Sequence, residues 1–430
     1  MKNDCLYGWL YVALLLAVTI SYSGMVSSSR NSGGGESSVQ RRSRLAVSPR
    51  VLPAVAPMAW DIAEGAYMAS LVVGQGVVQL VLDTGSSQLS VKGPGCKWRT
   101  CGPQGCTVGA CPCGTLEGGG LRTDCEDYYY KPAGYKISPG EEGSGVNTVM
   151  TYGSQVDTIE HYMDSVHVPV AKTEVACKDL FLAPYQHEFV TPSMQRPVSS
   201  GKSGSNVVVH RVLHIDGSSS SNLLGLSRPN GGSVEHGEKV LLETLVPAGI
   251  WSVVLHPGGG WLALGALPCF SPYYIPLIQP KVFHAFLTSF YIVNIVSISV
   301  GSSASSLRKL SVAPRYCVID TGTTCTYGSP SLGAALDAAG YKETSSMVRL
   351  ELGDARSPVS LLYTAAQLRD PEYPTQGVIE AWPGRTLDDF DQIFPPSHGG
   401  VLLLGALMMN NMYWEFDLAH NKVGVADLRR

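Results

Sequence analysis

Two copies of one short pattern constrain this chain more than any other feature of its 430 residues. An apolar stretch runs into the sequence Asp-Thr-Gly-Ser at residues 83–86, and a second apolar stretch runs into Asp-Thr-Gly-Thr at residues 320–323. One such motif is typical of an ordinary turn, because Asp and Gly both favour tight loops. Two copies, each after an apolar strand and each with hydroxyl residues behind it, indicate an internal duplication in which each half contributes one Asp.

The two acids, Asp83 and Asp320, predict a particular hydrolytic chemistry if they meet between the two halves. Close together in a poorly solvated cleft they cannot both ionise, because like charges repel, so they share one proton. The ionised acid can take a proton from a water molecule that attacks a carbonyl carbon, and the protonated acid can donate to the carbonyl oxygen and later to the leaving group. This chemistry needs no covalent nucleophile, and we predict no cofactor and no metal.

The residues that follow the two acids have predicted supporting roles. Glycine at positions 85 and 322 allows the two loops to approach each other without a Cβ clash. The hydroxyl groups of Ser86 and Thr323 can hydrogen-bond the outer carboxylate oxygens and hold the carboxylates coplanar. The candidate support residues are Thr84, Gly85, Ser86, Thr321, Gly322 and Thr323.

The paired motifs resemble the central signature of the pepsin-like aspartic proteases, and further segments match that family in order along residues 60–430. Residues 65–74 resemble the strand before the first catalytic Asp. Residues 223–226 and 402–406 resemble the apolar strands that cross behind the two active loops, and residues 414–426 resemble the closing hairpin of the second lobe. The resemblance implies Asp83 and Asp320 as catalytic residues and polypeptides as substrates.

The same resemblance implies a flap hairpin whose tip, formed by Tyr152, Gly153 and Ser154, closes over the substrate. The alternative is that Tyr152 only packs, as most tyrosines of a β-rich lobe do. The Gly-Ser that follows it, and its position ahead of the crossing strand, favour Tyr152 over its neighbours. Those neighbours are Tyr128, Tyr129, Tyr130 and Tyr135.

Several positions depart from the family pattern. Tyr152 lies further from the first Asp than is usual, because a Cys-rich stretch at 96–125 is inserted, and such an insertion resembles the plant nepenthesin type. Ser90 stands where the family often has a Trp that supports the flap, and Asn222 replaces the usual Asp before the first crossing strand. Cys325 stands where an apolar residue is usual. None of these changes removes a catalytic group.

The expected fold is all-β in the main, and the content of 47 Gly and 27 Pro agrees with a turn-rich β protein. The resemblance implies two pseudo-symmetric antiparallel β lobes, at residues 60–268 and 269–430, with the cleft between them. We predict short helices at residues 239–246, 282–290 and 331–339.

The first residues predict export. An apolar run after residue 5 is too short for a bilayer span and ends in small residues, which is typical of a signal peptide at 1–24, with an uncleaved anchor as the alternative. Residues 25–59 are expected to be a propeptide or a disordered segment. The basic cluster at 41–44 is either a processing site or a solvated patch. We predict the secretory pathway, with a secreted or an acidic vacuole-like or lysosome-like destination.

The number of cysteines agrees with export through the secretory pathway. The chain has 11, and removal of Cys5 with the signal peptide leaves an even number, which favours disulfides over a metal site. Each predicted lobe holds an odd number, so either at least one bridge joins the lobes or two thiols stay free. The cysteines are at positions 5, 96, 101, 106, 111, 113, 125, 177, 269, 317 and 325.

The charge and hydrophobicity of the chain argue against nucleic-acid and membrane partners. A net charge of −4 disfavours a strongly basic nucleic-acid binder, and no second apolar run is long enough for a membrane span. We expect a monomer that acts on polypeptides, with no nucleic-acid partner and no stable membrane insertion in the mature form. The expected activity is that of an aspartic endopeptidase with an acidic optimum. The alternative is a catalytically inactive inhibitor or binding protein on the same fold.

N-terminal sequencing of the exported protein tests the processing hypothesis. If the basic cluster at 41–44 is a processing site, the mature chain begins after Arg44. An active protein whose first residue lies at or before Ser27 contradicts that hypothesis and leaves the solvated-patch interpretation.

Overall fold

A computed structural model describes most of the chain beyond residue 52. The described residues are 53–61, 65–102, 105–111, 114–115, 121–122, 130–137, 148–152, 155–167, 176–182, 205–216, 222–228, 241–246, 248–278, 289–343, 345–364, 367, 379–381 and 400–428. The predicted signal peptide, the basic cluster at 41–44 and most of the predicted helix at 282–290 lie outside these residues.

The described chain is mainly β-structure, which confirms the predicted class. Its strands are β1 (Val55–Asp61), β2 (Ala66–Val73), β3 (Gly76–Asp83), β4 (Leu89–Gly102), β5 (Gly105–Ala110), β6 (Gly114–Thr115), β7 (Leu121–Arg122), β8 (Tyr135–Lys136), β9 (Thr148–Tyr152), β10 (Gln155–His167), β11 (Ser205–Asp216), β12 (Leu223–Gly225), β13 (Ile250–His256), β14 (Gly259–Ala263), β15 (Tyr273–Pro276), β16 (Tyr291–Gly301), β17 (Arg308–Lys309), β18 (Tyr316–Ile319), β19 (Thr326–Gly328), β20 (Met347–Asp354), β21 (Ser357–Thr364), β22 (Ile379–Ala381), β23 (Val401–Leu404), β24 (Met412–Asp417) and β25 (Lys422–Asp427).

The helices of the described residues are short. They are α1 (Leu241–Leu245), α2 (Pro330–Ala338), α3 (Ala406–Met409) and one 3-10 helix (Asp179–Phe181). The first two lie within one or two residues of the predicted helices at 239–246 and 331–339. Ser329 starts α2 because its hydroxyl accepts a hydrogen bond from the Leu332 N–H at 3.3 Å, and Pro330 suits the first helical turn.

The larger sheet contains 15 strands, in the order β15-β25-β24-β13-β14-β1-β2-β3-β12-β4-β11-β10-β8 with β5 and β9 at its side. Its strands come from both sides of the predicted boundary at 268/269. The hairpin β24–β25, predicted to close the second lobe, joins this sheet through β13. Strand β1 begins at Val55, so residues 55–59, which we assigned to the segment before the lobe, form part of the sheet.

The smaller sheet contains eight strands, in the order β21-β20-β16-β18-β23-β19-β22 with β17 beside β16. Strand β18, which leads to Asp320, is fully buried and lies between β16 and β23. A run of four apolar or aromatic residues, Tyr-Cys-Val-Ile, suits a strand covered on both faces. A separate two-stranded sheet pairs β6 with β7.

Three disulfides join described cysteines. Cys96–Cys111 and Cys101–Cys106 connect β4 and β5 in the predicted insertion, and Cys177–Cys269 crosses the predicted lobe boundary. Cys325 is also disulfide-bonded, whereas Cys317 is free and buried. Disulfide formation, predicted without any pairing, is therefore confirmed, and such bonds are typical of a protein from an oxidising compartment. Within the described ranges, no helix has the length and apolar character needed to cross a bilayer.

A disulfide that closes a long loop is expected to stabilise the protein more than one that closes a short loop, because it removes more entropy from the unfolded chain. The Cys177–Cys269 bridge spans 92 residues and Cys101–Cys106 only 5. Replacing both cysteines of the long bridge by Ser is expected to lower the free energy of unfolding by about 4–5 kcal/mol, against about 2 kcal/mol for the short bridge. Equilibrium unfolding in denaturant measures both losses, and equal losses contradict the account.

Candidate active site

Each candidate catalytic acid stands at the end of a buried strand that is paired with a crossing strand. Asp83 ends β3, and β12 lies between β3 and β4, parallel to the first and antiparallel to the second. The Leu226 N–H, just after β12, donates to the Asp83 carbonyl at 2.7 Å. The sequence match at residues 223–226 thus corresponds to a strand that fixes the backbone of the first acid.

The second acid has the same arrangement. Asp320 follows β18, and β23 lies parallel to β18 and antiparallel to β19. The Asp320 N–H donates to the Leu404 carbonyl at 3.0 Å. Gly405, the counterpart of Gly225, lies so close to the active loop that a Cβ there would overlap the Cys325 carbonyl. The two halves therefore hold their acids by repeated geometry.

A reciprocal set of hydrogen bonds joins the two loops. The Thr84 N–H donates to Thr321 Oγ1 at 3.1 Å, and the Thr321 N–H donates to Thr84 Oγ1 at 2.9 Å. Each hydroxyl also donates across to the other strand, Thr84 to the Ile319 carbonyl at 2.9 Å and Thr321 to the Leu82 carbonyl at 2.8 Å. All four bonds are buried, so breaking one leaves polar atoms without partners at a cost of about 1–3 kcal/mol each.

Glycine leaves room for the two carboxylates in both loops. A Cβ on Gly85 would lie 3.0 Å from Asp320 Oδ1 and 3.1 Å from Asp83 Oδ1. A Cβ on Gly322 would overlap Asp83 Oδ1. Gly85 is thus close to both acids, whose carboxylates lie near each other between the two loops.

The carboxylates accept hydrogen bonds from their own loops, but unequally. Asp320 accepts from the Gly322 N–H at 3.0 Å and from the Thr323 hydroxyl at 2.6 Å, whereas Asp83 Oδ1 accepts from the Gly85 N–H at 2.7 Å. Ser86 lies near enough to Asp83 to lower its pKa, yet Ser86 Oγ and Asp83 Oδ2 lack a partner with hydrogen-bond geometry. The predicted role of the hydroxyl is therefore seen for Thr323 and not for Ser86.

Burial and proximity change the acidity of the pair. Asp83 is 1% exposed and Asp320 is fully buried. Burial, followed by the negative charge of Asp320, raises the pKa of Asp83 from its ordinary value near 4 to about 7. Burial also raises the pKa of Asp320, against the lowering effect of the hydrogen bonds from Thr323 and Gly322. The pair can therefore hold one proton at weakly acidic pH.

The candidate flap residues are only partly described. Tyr152 is the last residue of β9 and pairs with Gln155 at the start of β10, so β9 and β10 form an antiparallel hairpin with residues 153–154 between them. Gly153 and Ser154 themselves lie outside the described residues. The hairpin agrees with the predicted flap, and the role of Tyr152 stays a prediction.

Asn222 has a structural role that was not predicted from the sequence. Its Oδ1 accepts from the Lys92 N–H at 2.8 Å, and its Nδ2 donates to the Gln79 carbonyl at 3.0 Å. An amide offers both an acceptor and a donor, so Asn222 can link β3 and β4 where a carboxylate would place two acceptors together. Its position directly before the crossing strand was the available signal.

Comparison with protein-family models finds no family whose model matches the chain, and comparison with curated proteins finds no match either. In the described part of the chain, no group of three or more His, Cys, Asp or Glu side chains could hold a metal ion. The function is therefore inferred from the geometry of the two acids.

Replacement of Asp83 tests its buried charge. Because the pKa of Asp83 is raised in the folded protein, its ionisation costs stability as pH rises from about 4 through about 7. Asp83→Asn is therefore expected to raise the free energy of unfolding at pH 8 by about 1–3 kcal/mol and to have little effect near pH 4.

Thermal and denaturant unfolding across this pH range measure the difference. Asp354→Asn is the matched control, because Asp354 is exposed in the turn between β20 and β21. An Asp83→Asn variant that gains no stability at pH 8 relative to pH 4 contradicts the buried-charge account.

Proposed function

We propose that this chain is an aspartic endopeptidase with the bilobal pepsin-like fold. The observation that carries the proposal is the proximity of Asp83 and Asp320: both are buried, and a Cβ on Gly85 would lie within 3.1 Å of a carboxylate oxygen of each. Two carboxylates in this arrangement can activate a water molecule without a covalent intermediate. No metal or cofactor is part of the proposed reaction.

The hydrogen bonds favour different roles for the two acids. Asp320 accepts bonds from Thr323 and Gly322, which stabilise its ionised form, whereas Asp83 has the pKa raised to about 7. In the proposed reaction Asp320 takes a proton from the attacking water. Asp83 donates its proton to the oxygen of the peptide carbonyl, which gives a tetrahedral diol. When the C–N bond breaks, the proton on Asp320 passes to the leaving amine, and a hydroxyl of the diol returns a proton to Asp83 as the new carboxyl group forms.

The repeated geometry supports the pepsin-like fold. Each acid stands at the end of a buried strand, and each strand pairs in parallel with a crossing strand. A glycine, Gly225 at the end of β12 and Gly405 directly after β23, packs on each active loop. A duplication that gives one acid to each half accounts for this repetition and for the reciprocal Thr84–Thr321 bonds. The hairpin of β9 and β10 is the proposed flap.

The disulfides support the proposed export, because such bonds persist in oxidising compartments. We propose that the protein is secreted or resides in an acidic vacuole-like compartment, where it cuts polypeptides. The mature protein acts as a monomer in this proposal, because one chain supplies both acids.

Two buried groups limit the pH range. Above pH 7 Asp83 loses the proton that the reaction needs. On the acid side, burial and the neighbouring His161 lower the pKa of His210 to about 3. The folded protein therefore resists a proton that the unfolded chain binds below about pH 6.5, and stability falls as pH drops from there toward 3. We expect activity in the weakly acidic range, with an alkaline limit near pH 7.

Cleavage of an unfolded protein substrate tests the proposal. The mature parent at weakly acidic pH is expected to cut the substrate, and a statine-type inhibitor is expected to stop it. Asp83→Asn and Asp320→Asn, which preserve side-chain shape, are each expected to lower kcat by more than about a hundredfold. Asp354→Asn, at the exposed turn, is expected to cut at the parental rate.

Equal cleavage by the parent and the Asp83→Asn variant contradicts the assignment at this site. A folded parent that neither cleaves nor gains thermal stability from the inhibitor favours the alternative, an inactive inhibitor or binding protein on this fold. The intact acids and the Thr323 hydroxyl bond argue against that alternative, because a protein without catalysis has no need of them.

A further inference from the structure

One buried side chain connects the backbones of both acids. Tyr291 is the first residue of β16 and is fully buried. In the pairing of β16 with β18, Tyr291 lies opposite Ile319, the residue directly before Asp320. The backbone of Tyr291 therefore belongs to the strand pair that carries the second acid.

The side chain of Tyr291 reaches the first acid. Its hydroxyl donates to the Leu226 carbonyl at 2.7 Å, and the Leu226 N–H donates to the Asp83 carbonyl at 2.7 Å. A second bond reinforces the same contact, because the Arg228 N–H donates to the Ser289 carbonyl at 2.7 Å. A series of contacts thus connects Asp83 with Asp320 through Leu226, Tyr291 and Ile319.

Neighbouring aromatic rings hold the Tyr291 ring in one position. The Trp251 Nε1–H donates to the Tyr291 hydroxyl at 3.2 Å, so that hydroxyl both donates and accepts. Phe416 contacts the Tyr291 ring edge-on at 4.6 Å and stacks on Trp251 at 4.1 Å. Close packing of this kind leaves a side chain few alternative rotamers and transmits displacement.

We propose that Tyr291 is a positioning residue that sets the separation of the Asp83 and Asp320 carboxylates. This inference rests on the proposed endopeptidase function. Its backbone fixes the strand of one acid, and its hydroxyl fixes the crossing strand of the other. The Thr84–Thr321 bonds join the two loops directly, so the route through Tyr291 is a second connection between the acids. Tyr291 does not touch the substrate in this proposal.

Loss of the hydroxyl has a specific consequence for the pair. Without it the Leu226 segment and the Asp83 loop can relax away from Asp320, and the charge repulsion that helps to raise the pKa of Asp83 weakens. The alkaline limit of activity then moves to lower pH. A merely structural tyrosine would change stability without moving that limit.

The test compares Tyr291→Phe with Tyr413→Phe in the mature protein. Tyr413 is also fully buried, donates to Glu415 and accepts from the Leu267 N–H, but it belongs to a different apolar cluster. Tyr291→Phe is expected to lower kcat by about tenfold to a hundredfold with little change in KM, and to move the alkaline limit down by about half a pH unit or more. Tyr413→Phe is expected to lose stability while it keeps the parental pH profile.

Two outcomes overturn the proposal. In the first, Tyr291→Phe keeps the parental kcat and pH profile; in the second, Tyr413→Phe moves the limit as far as Tyr291→Phe does. If Tyr291→Phe does not fold, Trp251→Phe decides, because it removes the donor to the Tyr291 hydroxyl and keeps an aromatic ring beside Phe416. A smaller shift in the same direction supports the proposal, and an unchanged limit overturns it.

A readout that needs no activity separates this inference from the proposed function. The pH dependence of unfolding reports the carboxyl pKa values directly through proton linkage. If the parent cleaves nothing but Tyr291→Phe still moves this dependence, the endopeptidase proposal fails and the positioning role of Tyr291 stands. If the parent cleaves substrate and Tyr291→Phe moves neither profile, only the positioning role fails.

Discussion

The structure depends on holding two carboxyl groups close together in a buried site. Asp83 and Asp320 repel when both are charged, and burial removes the water that would screen them. Several contacts oppose that repulsion: the reciprocal Thr84–Thr321 bonds, the two glycines that leave room for the acids, and the crossing strands behind each loop. Because these contacts are buried and join the two loops, the unfavourable pair persists, and its raised pKa values follow from that confinement.

The sheets explain how the pair is built from distant parts of the chain. The larger sheet contains β1, the first described strand, and also β24 and β25, the last ones. Strands from near the end of the chain therefore stabilise the region that carries Asp83. The smaller sheet carries Asp320 on β18. Between them, the Tyr291 hydroxyl and the aromatic contacts with Trp251 and Phe416 join the two β-sheet systems.

Local patterns predicted the acids well and the connections poorly. The two Asp-Thr-Gly motifs, the crossing strands and the short helix after the second loop leave signals within a few residues, so the sequence was sufficient for the β class and the candidate dyad. Strand partners are set by packing between distant segments. The pairing of the β24–β25 hairpin with β13 of the larger sheet was therefore not predicted. The unpartnered Ser86 hydroxyl, the amide role of Asn222 and the Tyr291 contact all depend on three-dimensional geometry that no spacing encodes.

The central claim is that the acid pair shares one proton at weakly acidic pH. Infrared spectroscopy measures it directly, through the carbonyl stretch of a protonated, buried carboxyl group. The account predicts such a band in the parent at about pH 6, its loss as pH rises through about 7, and its absence at this position in the Asp83→Asn variant. A parent spectrum without a protonated carboxyl at about pH 6, or one that Asp83→Asn leaves unchanged, contradicts the account.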